Sequence, residues 1–211
     1  MKKIWFFDLD GTLADTEGDI RGCWLATILD LGLDPKPFEE KFKTGPSIDE
    51  ITRVMYPEQY SPGLVGDIRQ GFARHYDTGG FPTTVEYPGV IDRVRELKAA
   101  GANVFIATNK RYVATKIMAA HFGWDKIFDG LYSADMHKDD PIGKLDKGGL
   151  LALILREIGA EASDAVMVGD TISDFNAAAR NGMESVAVTW GYGKKEELAI
   201  ADRIVTSPDE I

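Results

Sequence analysis

Apolar residues along this chain follow two alternating spacings. Short uninterrupted runs stand at residues 3–7, 103–107, 164–168 and 185–188, each partly β-branched or aromatic and each bounded by Gly, Asp or Thr. Between them the apolar positions recur at helical intervals: Val90, Val94 and Leu97 before the second run, and Leu150, Leu151, Ile154, Leu155 and Ile158 before the third. Short buried strands alternating with amphipathic helices predict a parallel sheet covered on both faces.

Residues 16–82 have a different texture. Ile20, Trp24, Ile28 and Leu31 keep a 3.6 period, with Gly32 as the expected C-cap. Ile48, Ile51 and Met55 begin another helix after Ser47, a suitable N-cap, and Ile68, Phe72 and Tyr76 mark a third. No strand pattern interrupts them. The stretch predicts an all-helical insertion, entered after Asp15 and left near Gly79-Gly80-Phe81-Pro82. It divides the chain into an α/β core of residues 1–15 and 83–211 and an inserted unit of residues 16–82.

Composition narrows the function. The 211 residues carry 34 Asp and Glu against 24 Lys and Arg, a net charge of -10, which disfavours nucleic acid and anionic membranes as partners. A small anionic substrate remains compatible if a metal ion and a few placed cations hold it. The single cysteine, Cys23, excludes a disulfide framework and a thiolate metal cluster, and is expected as a small buried side chain. The N-terminal apolar run follows Lys2 and Lys3 but ends at Phe7, with Asp8 and Asp10 close behind, so it reads as a strand and not an export signal. No stretch has the ~18 apolar residues of a membrane span. The cytoplasm is the expected compartment.

The chemistry lies after the strands. The first run leads into Asp8-Leu9-Asp10-Gly11-Thr12, the second into Thr108-Asn109-Lys110, and the third into Gly169-Asp170-Thr171-Ile172-Ser173-Asp174. In an open parallel sheet, ligands bind beyond the carboxyl ends of the strands. Several carboxylates delivered to one rim repel one another unless a cation sits among them. Their hard oxygen ligands suit Mg²⁺, which completes its octahedron with waters and a substrate phosphate. One carboxylate can then attack phosphorus. A second, two residues on, can protonate the leaving oxygen and later activate water.

These residues resemble the haloacid dehalogenase superfamily, whose first motif, DxDGT, is present as Asp8 to Thr12. Further segments are similar to its phosphoglycolate phosphatase branch: Glu86-Tyr87-Pro88-Gly89-Val90, Ala107-Thr108-Asn109-Lys110, His121-Phe122-Gly123, Phe128-Asp129 and Thr189-Trp190-Gly191-Tyr192-Gly193. The resemblance implies a Rossmann-like core with a helical C1 cap at residues 16–82, and a Mg²⁺-dependent phosphatase acting on a small phosphorylated metabolite through an aspartyl-phosphate. It implies Asp8 as nucleophile and metal ligand. Asp10 is the general acid/base, with its carbonyl on the metal. Thr108 is the second-motif hydroxyl, and Asp170 and Asp174 serve the metal. A lysine neutralises phosphate and nucleophile; spacing to the Gly169-Asp170 pair favours Lys147 over Lys144, with Lys138 and Lys110 behind them. Substrate contacts are expected from Leu9 and Gly11, Asn109, Lys110 and the cap residue Gly45.

Other readings have their own signatures. A phosphosugar mutase of the same superfamily carries a cap histidine twelve residues after the nucleophile, where this chain has Ile20. A phospho-acceptor signalling protein lacks such a helical insertion. A binding protein would not need every carboxylate. Thr108 could instead cap the next helix, and Asp174 could serve the helix that follows it. The histidines His75, His121 and His137 are expected outside the chemistry. Trp5, Trp24 and Trp124 are expected in cores, with Trp190 at the rim. Arg53 and Arg74 could reach an anionic leaving group or lie on solvated faces.

Overall fold

The computed structural model describes residues 3–45 and 47–211, so Lys2 and Pro46 lie outside the described residues. In chain order the elements are β1 (Ile4–Phe7), β2 (Ala14–Asp15), α1 (Glu17–Asp30), α2 (Lys36–Lys41), α3 (Ile48–Met55), α4 (Pro62–Thr78), β3 (Val85–Glu86) and α5 (Val90–Ala99). They continue with β4 (Asn103–Thr108), α6 (Tyr112–Phe122), β5 (Gly130–Ser133), α7 (Lys147–Glu157), β6 (Ala165–Gly169), α8 (Ile172–Asn181), β7 (Glu184–Val188), α9 (Lys195–Leu198) and β8 (Arg203–Val205). The chain divides into two units, one ending at Asp15 and resuming at Val85, the other Thr16–Thr84.

The first unit is built on six parallel strands in the order β5-β4-β1-β6-β7-β8. All four residues of β1 are buried, because helices cover a parallel sheet on both sides. On one face Phe6 stacks on Phe105 at 5.5 Å and packs with Leu150, Ile154, Met167 and Ala178. Phe7 meets the edge of Phe128 at 6.1 Å. The chain leaves β1 for β4 on one side and later returns to β6 on the other. The reversal of strand order therefore falls at β1, and the crevice there lies beyond the carboxyl ends of β1, β4 and β6.

Four strands escape the hydrophobic pattern. β5 and β8 are the sheet's edge strands and are partly exposed, so they lack an uninterrupted apolar run. β2 and β3 pair antiparallel as a two-residue ribbon, Ala14 with Glu86 and Asp15 with Val85, where the chain leaves and re-enters this unit. The Trp124 indole donates to Glu86 Oε1 at 2.6 Å, which fixes the ribbon within the unit.

The second unit is helical, with Trp24, Ile28, Phe38, Phe42, Ile51, Met55 and Ile68 in its core. Gly71 of α4 packs so closely on Thr27 of α1 that a Cβ there would stand 2.6 Å from the threonine methyl. Ser47 caps α3 with a reciprocal Ser47–Glu50 box. Helix α1 ends one residue before Leu31, which is therefore exposed, and Gly32 follows at φ +66°. Cys23 is half-buried, against the expectation of full burial, because it lines a cavity of about 270 Å³ with Gly18, Gly22, Tyr76 and Phe81. The unit ends at Thr84, two residues later than the pattern suggested. Buried Asp19 accepts from the backbone N–H and hydroxyl of both Thr83 and Thr84 at 2.5–3.3 Å, which ties those residues to α1.

Candidate active site

Asp8 is the first residue beyond β1, and its N–H donates to Val168 of β6 at 2.9 Å. Asp170 is the first beyond β6, and Thr108 is the last residue of β4. Asp174 stands in the first turn of α8, and Lys147 is the first residue of α7. Strand ends and helix starts therefore deliver these side chains to the crevice at β1.

Carboxylate oxygens of Asp8, Asp170 and Asp174 lie within 4.8 Å of one another, all three residues being buried. Lys147, only 3% exposed, reaches into them. Its ammonium stands 2.9 Å from Asp8 Oδ1 and 2.5 Å from Asp174 Oδ1. One ammonium thus bridges two buried carboxylates, the shorter contact being the one to Asp174. Asp174 also accepts from the Thr171 N–H and hydroxyl at 3.1 and 2.8 Å; it serves the start of its helix and the cluster together.

Electrostatics follow from the burial. Desolvation pushes the Asp8 carboxyl up to about 6 against the pull of Lys147, with Asp174 and Asp10 adding to the rise. Burial, then the charges of Asp8 and Asp174, push Asp170 up to about 7. Burial works to lower Lys147, but Asp174 and Asp8 outweigh it and hold the ammonium well above its ordinary range. One lysine among three buried carboxylates leaves negative charge uncompensated. That imbalance and the purely oxygen donor set fit a hard divalent cation.

Sequence pattern did not assign a role to the loop after β7. The Tyr192 N–H donates to Asp170 Oδ2 at 2.7 Å, and the Tyr192 hydroxyl donates to Asp15 Oδ1 at 3.0 Å. The Trp190 indole donates to the Thr12 carbonyl at 3.2 Å. A Cβ on Gly191 would overlap the Asp170 side chain, and one on Gly193 would overlap its carbonyl oxygen. Gly11 stands at φ +80°, also with no room for a Cβ beside Asp170. The pair of glycines around Tyr192 was the visible signal; its use, holding Asp170, required the fold.

The remaining candidates fall in several places. Lys110 Nζ lies 2.8 Å from Asp10 Oδ1, so in the structure this cation pairs with a carboxylate. The side chain of Asp10 stands outside the three-carboxylate cluster; its expected link to metal was through the main-chain carbonyl. Asn109 donates to Ser173 Oγ at 3.2 Å. Thr108 Oγ1 accepts from the Lys110 N–H at 3.2 Å, whereas Arg111 holds the N-cap position of α6; Thr108 does not cap that helix. Leu9 is buried, and its carbonyl accepts from the N–H groups of Thr12, Leu13 and Ala14. Lys144 and Lys138 are exposed. In the helical unit Gly45 is exposed at φ +116°, and its neighbour Thr44 donates to Glu17 at 3.5 Å. Arg53 pairs with Asp49 and Tyr60, and Arg74 with Asp30, on solvated faces. His75 meets Asp30 and His137 meets Asp140. Among the described residues no helix is long and apolar enough to cross a membrane.

A family model described as "Haloacid dehalogenase-like hydrolase" matches residues 5–188. The chain is 30% identical to "Probable phosphatase IndB" of Dickeya dadantii, covering 96% of this chain and 87% of that one. It is 28% identical to a phosphoglycolate phosphatase of Caulobacter vibrioides, covering 95% and 85%. Among solved structures it superposes on CbbY from Rhodobacter sphaeroides in complex with phosphate, with a TM-score of 0.79, 26% identity and coverage of 100% and 96%.

Proposed function

We infer, from the premise that the chain belongs to the haloacid dehalogenase-like hydrolase family and is one of its phosphatases, that it hydrolyses a small phosphate monoester in two steps at Asp8. The observation that carries this reading is the cluster itself. Asp8 sits at the strand-order reversal beside buried Asp170 and Asp174, with Lys147 2.9 Å away.

In the first step an Asp8 oxygen attacks phosphorus and the ester P–O bond breaks. Asp10, two residues on, gives its proton to the departing alkoxide. In the second, Asp10 takes a proton from water, whose oxygen attacks the aspartyl-phosphate; the P–O bond to Asp8 breaks and phosphate leaves. Lys147 offsets the charge of Asp8 and Asp174 throughout, and Thr108, Asn109 and the Leu9 backbone N–H orient the phosphoryl oxygens, whereas the Gly11 N–H is taken by the Ala14 carbonyl at 2.9 Å. Asp8, Asp170, Asp174 and the Asp10 carbonyl would hold Mg²⁺. When bound, the ion supplies positive charge that polarises the phosphoryl group. For the helical unit the proposal is substrate selection through the loop containing Gly45. Ile20 packs against that unit's apolar cluster, which supports hydrolysis over the mutase reading and its cap histidine.

The test is release of phosphate from p-nitrophenyl phosphate and a panel of alkyl phosphates with Mg²⁺, before and after EDTA. Turnover that needs the metal supports the reading. A folded protein inert on every ester, or fully active after exhaustive chelation, refutes it.

A further inference from the structure

We propose, resting on the two-step reading above, that Lys110 is a positioning residue that holds the Asp10 carboxylate in place for proton transfer. Lys110 is the second residue after β4, and its side chain crosses the crevice to reach the loop after β1. Its ammonium lies 2.8 Å from Asp10 Oδ1. The lysine side chain is 6% exposed and the aspartate side chain 25%, so a nearly buried cation grips a carboxylate that still opens to solvent. The backbone of Lys110 is itself fixed, because its N–H donates to Thr108 Oγ1 at 3.2 Å.

The arrangement divides the work between two lysines. Lys147 serves the inner carboxylates, Asp8 and Asp174. Lys110 serves the outer one. Asp10 stands outside the inner cluster with a quarter of its side chain exposed, where a carboxylate can swing toward solvent. A charge-assisted hydrogen bond from a buried ammonium opposes that swing and selects one orientation. An acid misplaced by ~1 Å loses ~10²-fold in rate, so this restraint matters most when a proton must be delivered.

A double-mutant cycle separates this role from direct contact between Lys110 and substrate. Phosphoenzyme formation is measured in the first turnover for K110M, D10N and the double variant, using glycerol 1-phosphate and p-nitrophenyl phosphate. An alkoxide needs the proton and a nitrophenolate hardly does. D10N should slow the glycerol ester by ~10²–10⁴-fold, the usual worth of general acid catalysis. K110M should slow it by ~10–10²-fold and the nitrophenyl ester by less than ~3-fold. In the D10N background K110M should cost nothing further, and K110R should recover most of the rate. Equal losses with both esters, or the same loss in both backgrounds, would overturn the proposal and make Lys110 a substrate ligand. Should K110M melt lower than the parent, K110Q and K110R carry the same cycle. A wild-type chain inert on both esters refutes the phosphatase reading itself; an active one with an additive cycle refutes only the role of Lys110.

Discussion

Asp170→Asn should stabilise the metal-free protein while destroying its response to metal. Asp170 is fully buried, and its carboxyl is pushed from 3.8 up to about 7 by burial and by the charges of Asp8 and Asp174. The folded state therefore binds this proton more tightly than the unfolded chain. That contribution to stability is complete below about pH 4 and disappears as pH rises through 7. A rise from 3.8 to about 7 corresponds to about 4 kcal/mol, from ~1.4 kcal/mol per tenfold in proton affinity. Roughly a third of it is already lost at pH 5, so the gap between variant and wild type should widen by about 2–3 kcal/mol from pH 5 to pH 8. An asparagine can still accept the Tyr192 N–H, the 2.7 Å contact that holds Oδ2, and its NH2 would replace Oδ1 beside the Thr12 hydroxyl, 3.4 Å away, which can turn to accept. For a chain of this size the gap translates to ~4–12 °C in Tm. The assay is thermal unfolding followed by circular dichroism in chelator at pH 5, 6.5 and 8, repeated with Mg²⁺. Wild type should regain stability with the metal at pH 8, and the variant should not. A variant that melts below wild type at pH 8 in chelator, or a gap that does not change with pH, would refute the electrostatic account of the cluster.

Asp8→Asn should abolish turnover and phosphoenzyme while the fold persists; acid-quench trapping of radiolabelled phosphate on any other residue would contradict it. Mg²⁺ should support activity and Ca²⁺ inhibit it, because calcium prefers more and looser oxygen ligands and would draw Asp8 into chelation; a metal titration of initial rates decides. Lys147→Met leaves two buried carboxylates without their cation and should destabilise the protein at pH 8 by about 3–5 kcal/mol, with activity lost, as denaturant titration and assay will show. Gly193→Ala would drive a methyl against the Asp170 carbonyl and should shift the loop, lowering metal affinity in a thermal-shift titration more than it lowers Tm in chelator.

Chemistry carried by a short local stretch was readable without a fold. Asp8, Thr108 and Asp170 each stand at the end of a buried strand, and a parallel sheet sends such ends to one rim wherever the strands pair. Lys147 was favoured over Lys144 by spacing, and the structure puts the first among the carboxylates and the second in solvent. The helical insertion was legible because its apolar period differs from that of the strands. Partners chosen across the chain were not. Lys110 and Asp10 are 100 positions apart, and nothing local tells a lysine that its anion is a side chain and not a substrate. The Tyr192 N–H on Asp170 is a backbone group, identical in every residue type until a loop aims it. The edge strands β5 and β8 and the two-residue ribbon carry too little buried apolar surface to leave a pattern. Asp19 stands in the first turn of α1, and its burial against Thr83 and Thr84, 64 and 65 positions on, ties the end of the insertion to that helix. The sequence determined the buried central strands, the main amphipathic helices and the candidate chemical groups, since those follow from periodicity and side-chain type. Only the tertiary structure decided which charges face each other, because those distances depend on how the packed elements converge.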